Sequence, residues 1–173
     1  DTTLWVREQL NVDDFDWLRS MSFSVRLSPT TQTADDLLVV HANPQDVHRF
    51  VMPPADEQKE KLGSIQFEQT NEELDALLNE THAGLIAYWH FHFPNVRKWG
   101  DLTLANISSV SNPMDGDTRA KYGLMSWDKS SGWQVEIRRV KYDIQHEQAI
   151  LAKRKPPRWE NLSNMLDGEL YLG

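Results

Sequence analysis

The stretch GLIAYWHFHFPNV, residues 84–96, decides how the fold of this chain is organised. Six mostly apolar residues lead into two histidines, His90 and His92, that are separated by one position. A short apolar run of this kind is typical of a buried strand, and Pro94 ends it. Because side chains alternate between the two faces of a strand, we predict that both imidazoles point in the same direction. They would either bind a metal ion together or lie unligated at a solvated strand end.

A second apolar run also ends in a histidine. DLLVVHAN, residues 36–43, predicts a buried strand that runs into His41. Ligand sites in α/β sheets gather beyond the carboxyl ends of strands, so we expect His41, His90 and His92 to form one cluster. Three imidazoles suit Mn, Fe, Zn or Ni better than Mg or Ca.

Other polar residues near these strand ends are weaker candidates. Asn43, Asp46 and Asn106 each follow a predicted strand, and their side chains are candidates for oxygen ligands or for hydrogen bonds that support the histidines. His48, seven positions after His41, is the only other histidine that we expect near the site.

The order of the remaining segments predicts a layered α/β (α+β) fold, with residues 1–173 forming a single domain. Apolar periodicity and capping residues predict helices within 2–20, 70–82, 144–154 and 159–168. Residues 53–69 are expected to form a loop with at most one exposed helix. Strands are expected within 23–27, 36–43, 84–89, 102–108, 122–128 and 133–143, the last two joined as a hairpin by KSSG.

Composition limits the classes of function. The chain has 173 residues, of which 39% are hydrophobic, and a formal net charge of -8. This is enough apolar material for one core, and the acidic balance argues against a broad nucleic-acid surface. No apolar run approaches the roughly 20 residues of a membrane span, so no membrane partner is expected. Because the chain has no cysteine, a metal must be held by His, Asp, Glu or Asn. The lack of cysteine also means that no disulfide can form, so a cytoplasmic location is expected.

Tryptophan is frequent, with seven residues in the chain. Most of these side chains lie in segments with apolar periodicity, so we expect them to pack in the core rather than to form a binding platform. The five residues concerned are Trp5, Trp17, Trp89, Trp127 and Trp133.

The two histidine segments together resemble the C-terminal half of a calcineurin-like metallophosphoesterase of the small bacterial phosphodiesterase type. LLVVHANPQD (37–46) is followed by AYWHFHFPNVRKWGDLTLANISSVSNPMDGD (87–117). In that family, successive strands end in His-Gly-Ser-Pro, in Gly-His-Thr-His-x-Pro and in Asn-Pro-Gly-Ser. The corresponding residues here are 41–44, 89–92 and 106–109, and the resemblance extends from Trp5 to Ala152.

The resemblance implies a hydrolase that cleaves phosphodiesters or phosphomonoesters with a water activated by two divalent metal ions. His41 and His90 would ligate one metal and His92 the other, with Asn43 and Asn106 as supporting residues. The metals would be Mn, Fe, Zn or Ni, and the substrate a phosphate ester. The fold would be part of a four-layer α/β/β/α sandwich.

The match also has gaps. The family's N-terminal metal-binding motifs, Asp-x-His, Gly-Asp and Gly-Asn-His-Asp, have no counterpart before the strand that ends at His41. We therefore expect this chain to be a C-terminal part with an incomplete metal site. Open strand edges would make it associate with itself or with an N-terminal piece.

Two alternatives remain open at this stage. Where the family motifs have glycine and proline, Trp89 and Ile107 are found here, which favours a non-catalytic phosphoesterase-like module that binds another protein. A mononuclear site that uses His41, His90, His92 and water is the third hypothesis.

Overall fold

The structure is a computed structural model that describes residues 2–65 and 67–168. Its centre is a five-stranded sheet in the order β1-β2-β3-β5-β4. The strands are β1 (Ser24–Leu27), β2 (Leu37–Val40), β3 (Leu85–Tyr88), β4 (Asn95–Trp99) and β5 (Leu102–Asn106). β2, β3 and β5 are parallel, whereas β1 and β4 are antiparallel edge strands. The carboxyl ends of the three central strands therefore meet at one edge of the sheet.

A separate hairpin packs on one face of this sheet. It consists of β6 (Ala120–Asp128) and β7 (Gly132–Val140). Its inward side chains, including Met125 and Trp133, pack on Leu85 and Ala87 of β3. The Trp133 indole also donates a hydrogen bond to the Asp35 carbonyl at 2.7 Å, which fixes the hairpin against the sheet.

Helix Asn71–Leu78 packs on the opposite face. In chain order the α-helices of the described residues are α1 (Thr2–Gln9), α2 (Val12–Ser20), α3 (Ala55–Leu62), α4 (Asn71–Leu78), α5 (Ile144–Arg154) and α6 (Trp159–Leu166). Leu74, Leu77 and Leu78 of α4 pack on Ile86 and other sheet residues. The Thr70 side chain caps α4 through a capping box with Glu73. Helices, sheet and hairpin are stacked in layers, which confirms the predicted mixed α/β fold.

The N-terminal elements bury very little. α1 and α2 contain no buried residue, and three of the four residues of β1 are exposed. Trp17 is 63% exposed and Trp89 is 38% exposed, so the prediction that both pack in the core was wrong. Periodicity shows that a helix has an apolar face, but it does not show which element covers that face. The apolar surface of α1, α2 and β1 therefore stays open to solvent in this chain.

Strand β4 was not predicted from the sequence. It directly follows Pro94, which ends the apolar run, and NVRKW is too polar to indicate a buried strand. In the structure it is an edge strand, paired antiparallel with β5 through the turn at Gly100, where φ is +57°. Edge strands tolerate charged residues because one side of their ladder faces solvent.

Gly84, the first residue of the stretch 84–96, lies against the backbone of Ala34. A Cβ at this position would collide with the Ala34 carbonyl oxygen. We expect Gly84→Ala to lower the free energy of unfolding by about 1–3 kcal/mol, because backbone must move to make room. Urea denaturation followed by circular dichroism measures the loss. Gly123→Ala is the control, since the nearest atom there is the end of the Ile107 side chain, and an equal loss at both positions would contradict the explanation.

No helix among residues 2–65 and 67–168 is long and apolar enough to cross a membrane.

Candidate functional site

The three predicted histidines converge at the carboxyl edge of the central strands. His41 directly follows β2, whereas His90 and His92 lie in the loop after β3. The backbone N–H groups of Trp89 and His90 both donate to the His41 carbonyl at 3.1 Å. This contact brings the His41 and His90 rings to a centroid distance of 4.6 Å. His41 and His92 line one cavity of about 540 Å³.

The prediction that strand alternation orients His90 and His92 was wrong. β3 ends at Tyr88, so alternation along a strand does not set the direction of either ring. Backbone carbonyls in neighbouring loops set the orientation of the two rings. His90 Nε2 donates to the His48 carbonyl at 3.1 Å, and His92 Nδ1 donates to the Asn112 carbonyl at 2.9 Å.

These hydrogen bonds leave one lone pair on each ring. A neutral imidazole that donates from one nitrogen presents the other as an acceptor, and metal-bound histidines usually have this arrangement. His90 thus presents Nδ1 and His92 presents Nε2.

The electrostatic environment favours neutral imidazoles. Burial lowers the pKa of His41 below its usual value of 6.5, and nearby His92 and His48 lower it further. Burial also lowers the pKa of His90, with His41 as the next contributor. Lone pairs suitable for a metal or a hydrogen-bond donor are therefore present at neutral pH.

Asn43 and Asn106 support the loops rather than the histidine rings. The Asn43 carbonyl accepts from the backbone N–H groups of Gln45 at 2.7 Å and Asp46 at 2.9 Å, and its amide donates to the Arg49 carbonyl at 2.8 Å. The side chains of Asn43 and Asn106 are both buried. These contacts shape the loop that carries His48.

Asn106 does the same for the loop after β3. Its amide donates to the Phe91 carbonyl at 2.5 Å, and its carbonyl accepts from the Ser108 N–H at 2.9 Å. The Ser108 hydroxyl in turn donates to the His92 carbonyl at 3.0 Å. Asn106 and Ser108 together therefore tie the end of β5 to the Phe91 and His92 carbonyls.

The Asp46 carboxylate forms its hydrogen bonds within its own loop. Its carboxylate accepts from the backbone N–H groups of His48 and Arg49, both at 2.8 Å, and from the Arg49 guanidinium. The Arg49 and His48 N–H groups hold the pKa of Asp46 well below its usual range. Asp46 thus braces the loop instead of facing the imidazoles as a free carboxylate.

Residues 2–65 and 67–168 contain no group of three or more His, Asp or Glu side chains placed to hold a metal ion. The imidazoles are suitable donors, but they carry no negative charge. Two divalent ions about 3.5–4 Å apart repel each other strongly and need anionic ligands between them. The described donor set therefore does not fit a two-metal centre.

Lys121, which was not predicted as a site residue, lines the same cavity. Its side chain is 0% exposed, and Nζ lies 2.9 Å from Asp115 Oδ1 and donates to the Asp117 carbonyl at 2.6 Å. Lys121 shares the inward face of β6 with Gly123 and Met125. The alternation of β6 was therefore the signal that could have identified it.

Comparisons with known proteins show similarity of fold alone. No family model matches the sequence, and no curated protein matches it. The structure is similar to that of the hypothetical protein PH1004 from Pyrococcus horikoshii OT3, with a TM-score of 0.67 and 14% sequence identity. The match covers 94% of this chain and 57% of PH1004. This chain therefore spans little more than half the length of that protein, and the likeness shows a shared fold alone.

Two further structures are similar at a lower level. One is a conserved uncharacterized protein, described as a predicted phosphoesterase, from Streptococcus pneumoniae TIGR4, with a TM-score of 0.44 and 15% identity over 78% of this chain and 72% of that chain. The other is Vps29 from Chaetomium thermophilum, with a TM-score of 0.36 and 12% identity over 76% of this chain and 75% of that chain.

Proposed function

We propose that this chain is the C-terminal part of a calcineurin-like metallophosphoesterase that hydrolyses phosphodiesters or phosphomonoesters. The observation that supports this most directly is the convergence of His41, His90 and His92 beyond three parallel strands. Two of the rings are held by backbone carbonyls with a lone pair free. The proposal assigns these three residues as metal ligands and leaves the catalytic residues unassigned.

The backbone at Ser108 also favours the proposal. Ser108 has a φ of +73°, a conformation that favours glycine. In the family motif Asn-Pro-Gly-Ser, glycine stands at the position that Ser108 occupies after Asn106. Ser108 therefore adopts a backbone conformation that glycine adopts readily, which supports the alignment with the motif.

The missing carboxylates would come from an N-terminal part of the domain. The outer face of the hairpin exposes Tyr122, Leu124 and Val140, and large apolar side chains of α1, α2 and β1 are also exposed. In a four-layer α/β/β/α sandwich, further strands and helices would cover such surfaces. In their absence we expect this chain to self-associate, since exposed apolar patches and open edges favour association.

With carboxylates supplied by an N-terminal part, His41, His90 and His92 would help to hold divalent ions, and the chemistry that such ions would supply is activation of water and neutralisation of phosphate charge. The task of the residues described here is to hold neutral imidazoles in place. Val39, Ala87, Ile107 and Met125 line the apolar part of the cavity beside His41 and His92, and Ser108, Ser109 and Lys121 line its polar part.

Metal content tests the proposal. The longest natural polypeptide that contains this chain is dialysed and analysed by elemental mass spectrometry, and hydrolysis of bis(p-nitrophenyl) phosphate is assayed with Mn, Fe, Zn and Ni. We expect about two metals per polypeptide and metal-dependent hydrolysis. Both should be lost in the His90→Ala/His92→Ala double variant.

The matched control is His82→Ala/His146→Ala, which removes two exposed histidines outside the cluster. Gel filtration of residues 1–173 alone should show an oligomer. A compact monomer, or a natural reading frame that begins at Asp1, would contradict the assignment as a C-terminal part.

The alternative is a non-catalytic module that binds another protein, and Trp89 favours it. The Trp89 ring packs edge-on against His41 at 5.8 Å, lines the cavity and stands where the family has glycine. If the indole blocks the site of an otherwise active enzyme, Trp89→Gly in the longest natural polypeptide should increase hydrolysis. Absence of hydrolysis in both forms, with folding intact, would favour the module.

A further inference from the structure

The rings of Phe50 and His90 form a nearly parallel stack at the edge of the histidine cluster. Their centroids are 4.6 Å apart and their planes are inclined by 17°. His41 lies at the same centroid distance from His90, but those two planes are inclined by 60°. Rotation of the His90 ring about its Cβ–Cγ bond would turn the imidazole out of the stack and into the phenyl ring. Phe50 is therefore a neighbour that restrains the plane of the His90 ring.

A stack does not determine which ring nitrogen points in which direction. A half-turn about the Cβ–Cγ bond would restore the parallel arrangement with nitrogen and carbon atoms exchanged. The hydrogen bond from His90 Nε2 to the His48 carbonyl, at 3.1 Å, selects one of these two orientations. The loop segment 48–50 thus supplies two complementary restraints, one on the plane of the ring and one on the direction of its Nδ1 lone pair.

Phe50 is itself held in place through its backbone and its ring. The Gln69 side-chain amide donates to the Phe50 carbonyl at 2.9 Å, and its oxygen accepts from the Met52 N–H at 2.9 Å. Phe91, which is 4% exposed, meets the Phe50 ring edge-on at a centroid distance of 5.8 Å and an inclination of 77°. A ring that is fixed in both ways can restrain a neighbouring ring, because a displacement would break these contacts.

We propose that Phe50 is a positioning residue of the histidine cluster: its ring fixes the plane of the His90 imidazole, and Gln69 acts through Phe50. The inference deepens the proposed function and rests on it only for the metal that His90 would receive. The alternative is that Phe50 only fills space beside the buried Phe91 and Phe93, with which it packs. In that case any apolar side chain of similar size would serve equally well.

The imidazole resonances of His90 test this in the longest natural polypeptide that contains this chain. The protein is labelled with ¹⁵N-histidine and freed of metal by chelation, and the His90 signals are identified by their loss in His90→Ala. Phe50→Leu keeps an apolar side chain but removes the stack, whereas Phe50→Tyr keeps both. We expect Phe50→Leu to remove the ring-current shift of the His90 ring protons and to move the ¹⁵N shifts from the pure Nε2–H tautomer toward a mixture. Phe50→Tyr should retain both signatures.

Phe67→Leu is the matched control. Phe67 also stacks on Phe50, at 5.9 Å, but it is 50% exposed and none of the described ring contacts joins it to His90. This substitution should leave the His90 signals unchanged, whereas Gln69→Leu should shift them in the same direction as Phe50→Leu. Unchanged His90 signals in Phe50→Leu, or equal changes in Phe67→Leu, would overturn the proposal.

Metal titration separates this inference from the proposed function. Residues that orient a metal-binding histidine typically contribute about 10–100-fold to affinity, so we expect Phe50→Leu to weaken Zn binding about tenfold and Phe50→Tyr to have no effect. Equal affinities of the unmodified protein and Phe50→Leu would overturn the role of Phe50 toward a ligand. If the unmodified protein binds no metal, the proposed function fails, and the resonances still decide whether Phe50 positions His90. If Phe50→Leu does not fold, Gln69→Leu is judged by the same criteria.

Discussion

Lys121→Ala is expected to lower the free energy of unfolding by about 3–5 kcal/mol, because removing one partner of a buried ion pair leaves the other charge uncompensated. The Lys121 side chain is 0% exposed and that of Asp115 is 9% exposed. After the substitution, Arg139 still lies 3.7 Å from Asp115. Urea denaturation monitored by circular dichroism gives the difference.

Lys98→Ala provides the control for this substitution. Lys98 is exposed, and its Nζ donates to the Thr103 hydroxyl at 2.8 Å, so its removal should change stability by no more than about 0.5 kcal/mol. Adding Asp115→Asn to Lys121→Ala should recover part of the loss, because the unpaired charge is then gone. A loss below about 1 kcal/mol for Lys121→Ala would mean that the pair contributes little.

Phe93→Ala should cost about 3–5 kcal/mol, the range found for aromatic residues truncated in a core. Phe93 is 0% exposed and packs with Met52 and Phe91 in a cluster under the loop that carries His90 and His92. The resulting cavity should lower the thermal midpoint measured by calorimetry, and it should loosen the backbone around both imidazoles.

Phe23→Ala is the comparison, because Phe23 is 49% exposed and leaves no enclosed cavity when truncated. Its expected change is within about 0.5 kcal/mol. Similar losses for the two variants would show that the cluster of Met52, Phe91 and Phe93 is not a well-packed core.

Local patterns were sufficient to predict most of the fold. Continuous apolar runs identified β2 and β3, and the Thr70 capping box identified the start of α4. The hairpin β6–β7 followed from alternation and turn residues. β4 was missed because an edge strand lacks the apolar run of a central one. The exposure of Trp17 could not be predicted, because it depends on what lies beside α2 rather than on its sequence.

The proximity of the histidines could be predicted from the sequence. The contacts of the residues around them were harder to predict. Residues directly after buried strands meet at one sheet edge, which is enough to bring His41 and His90 together. The prediction of Asn43 and Asn106 as supporting residues placed them near the site, although they bind loop backbone rather than the rings. The stack of Phe50 on His90 arises from tertiary packing, which no local pattern of one sequence reports.

The parallel pairing of β2 with β3 determines when the histidine cluster can form during folding. Leu37 lies opposite Leu85, and the segment between the two strands includes α3 and α4. Closing a long loop costs entropy before the strands gain their contacts, so non-local pairings of this kind form slowly. His41 and His90 come together only once the two strands have paired.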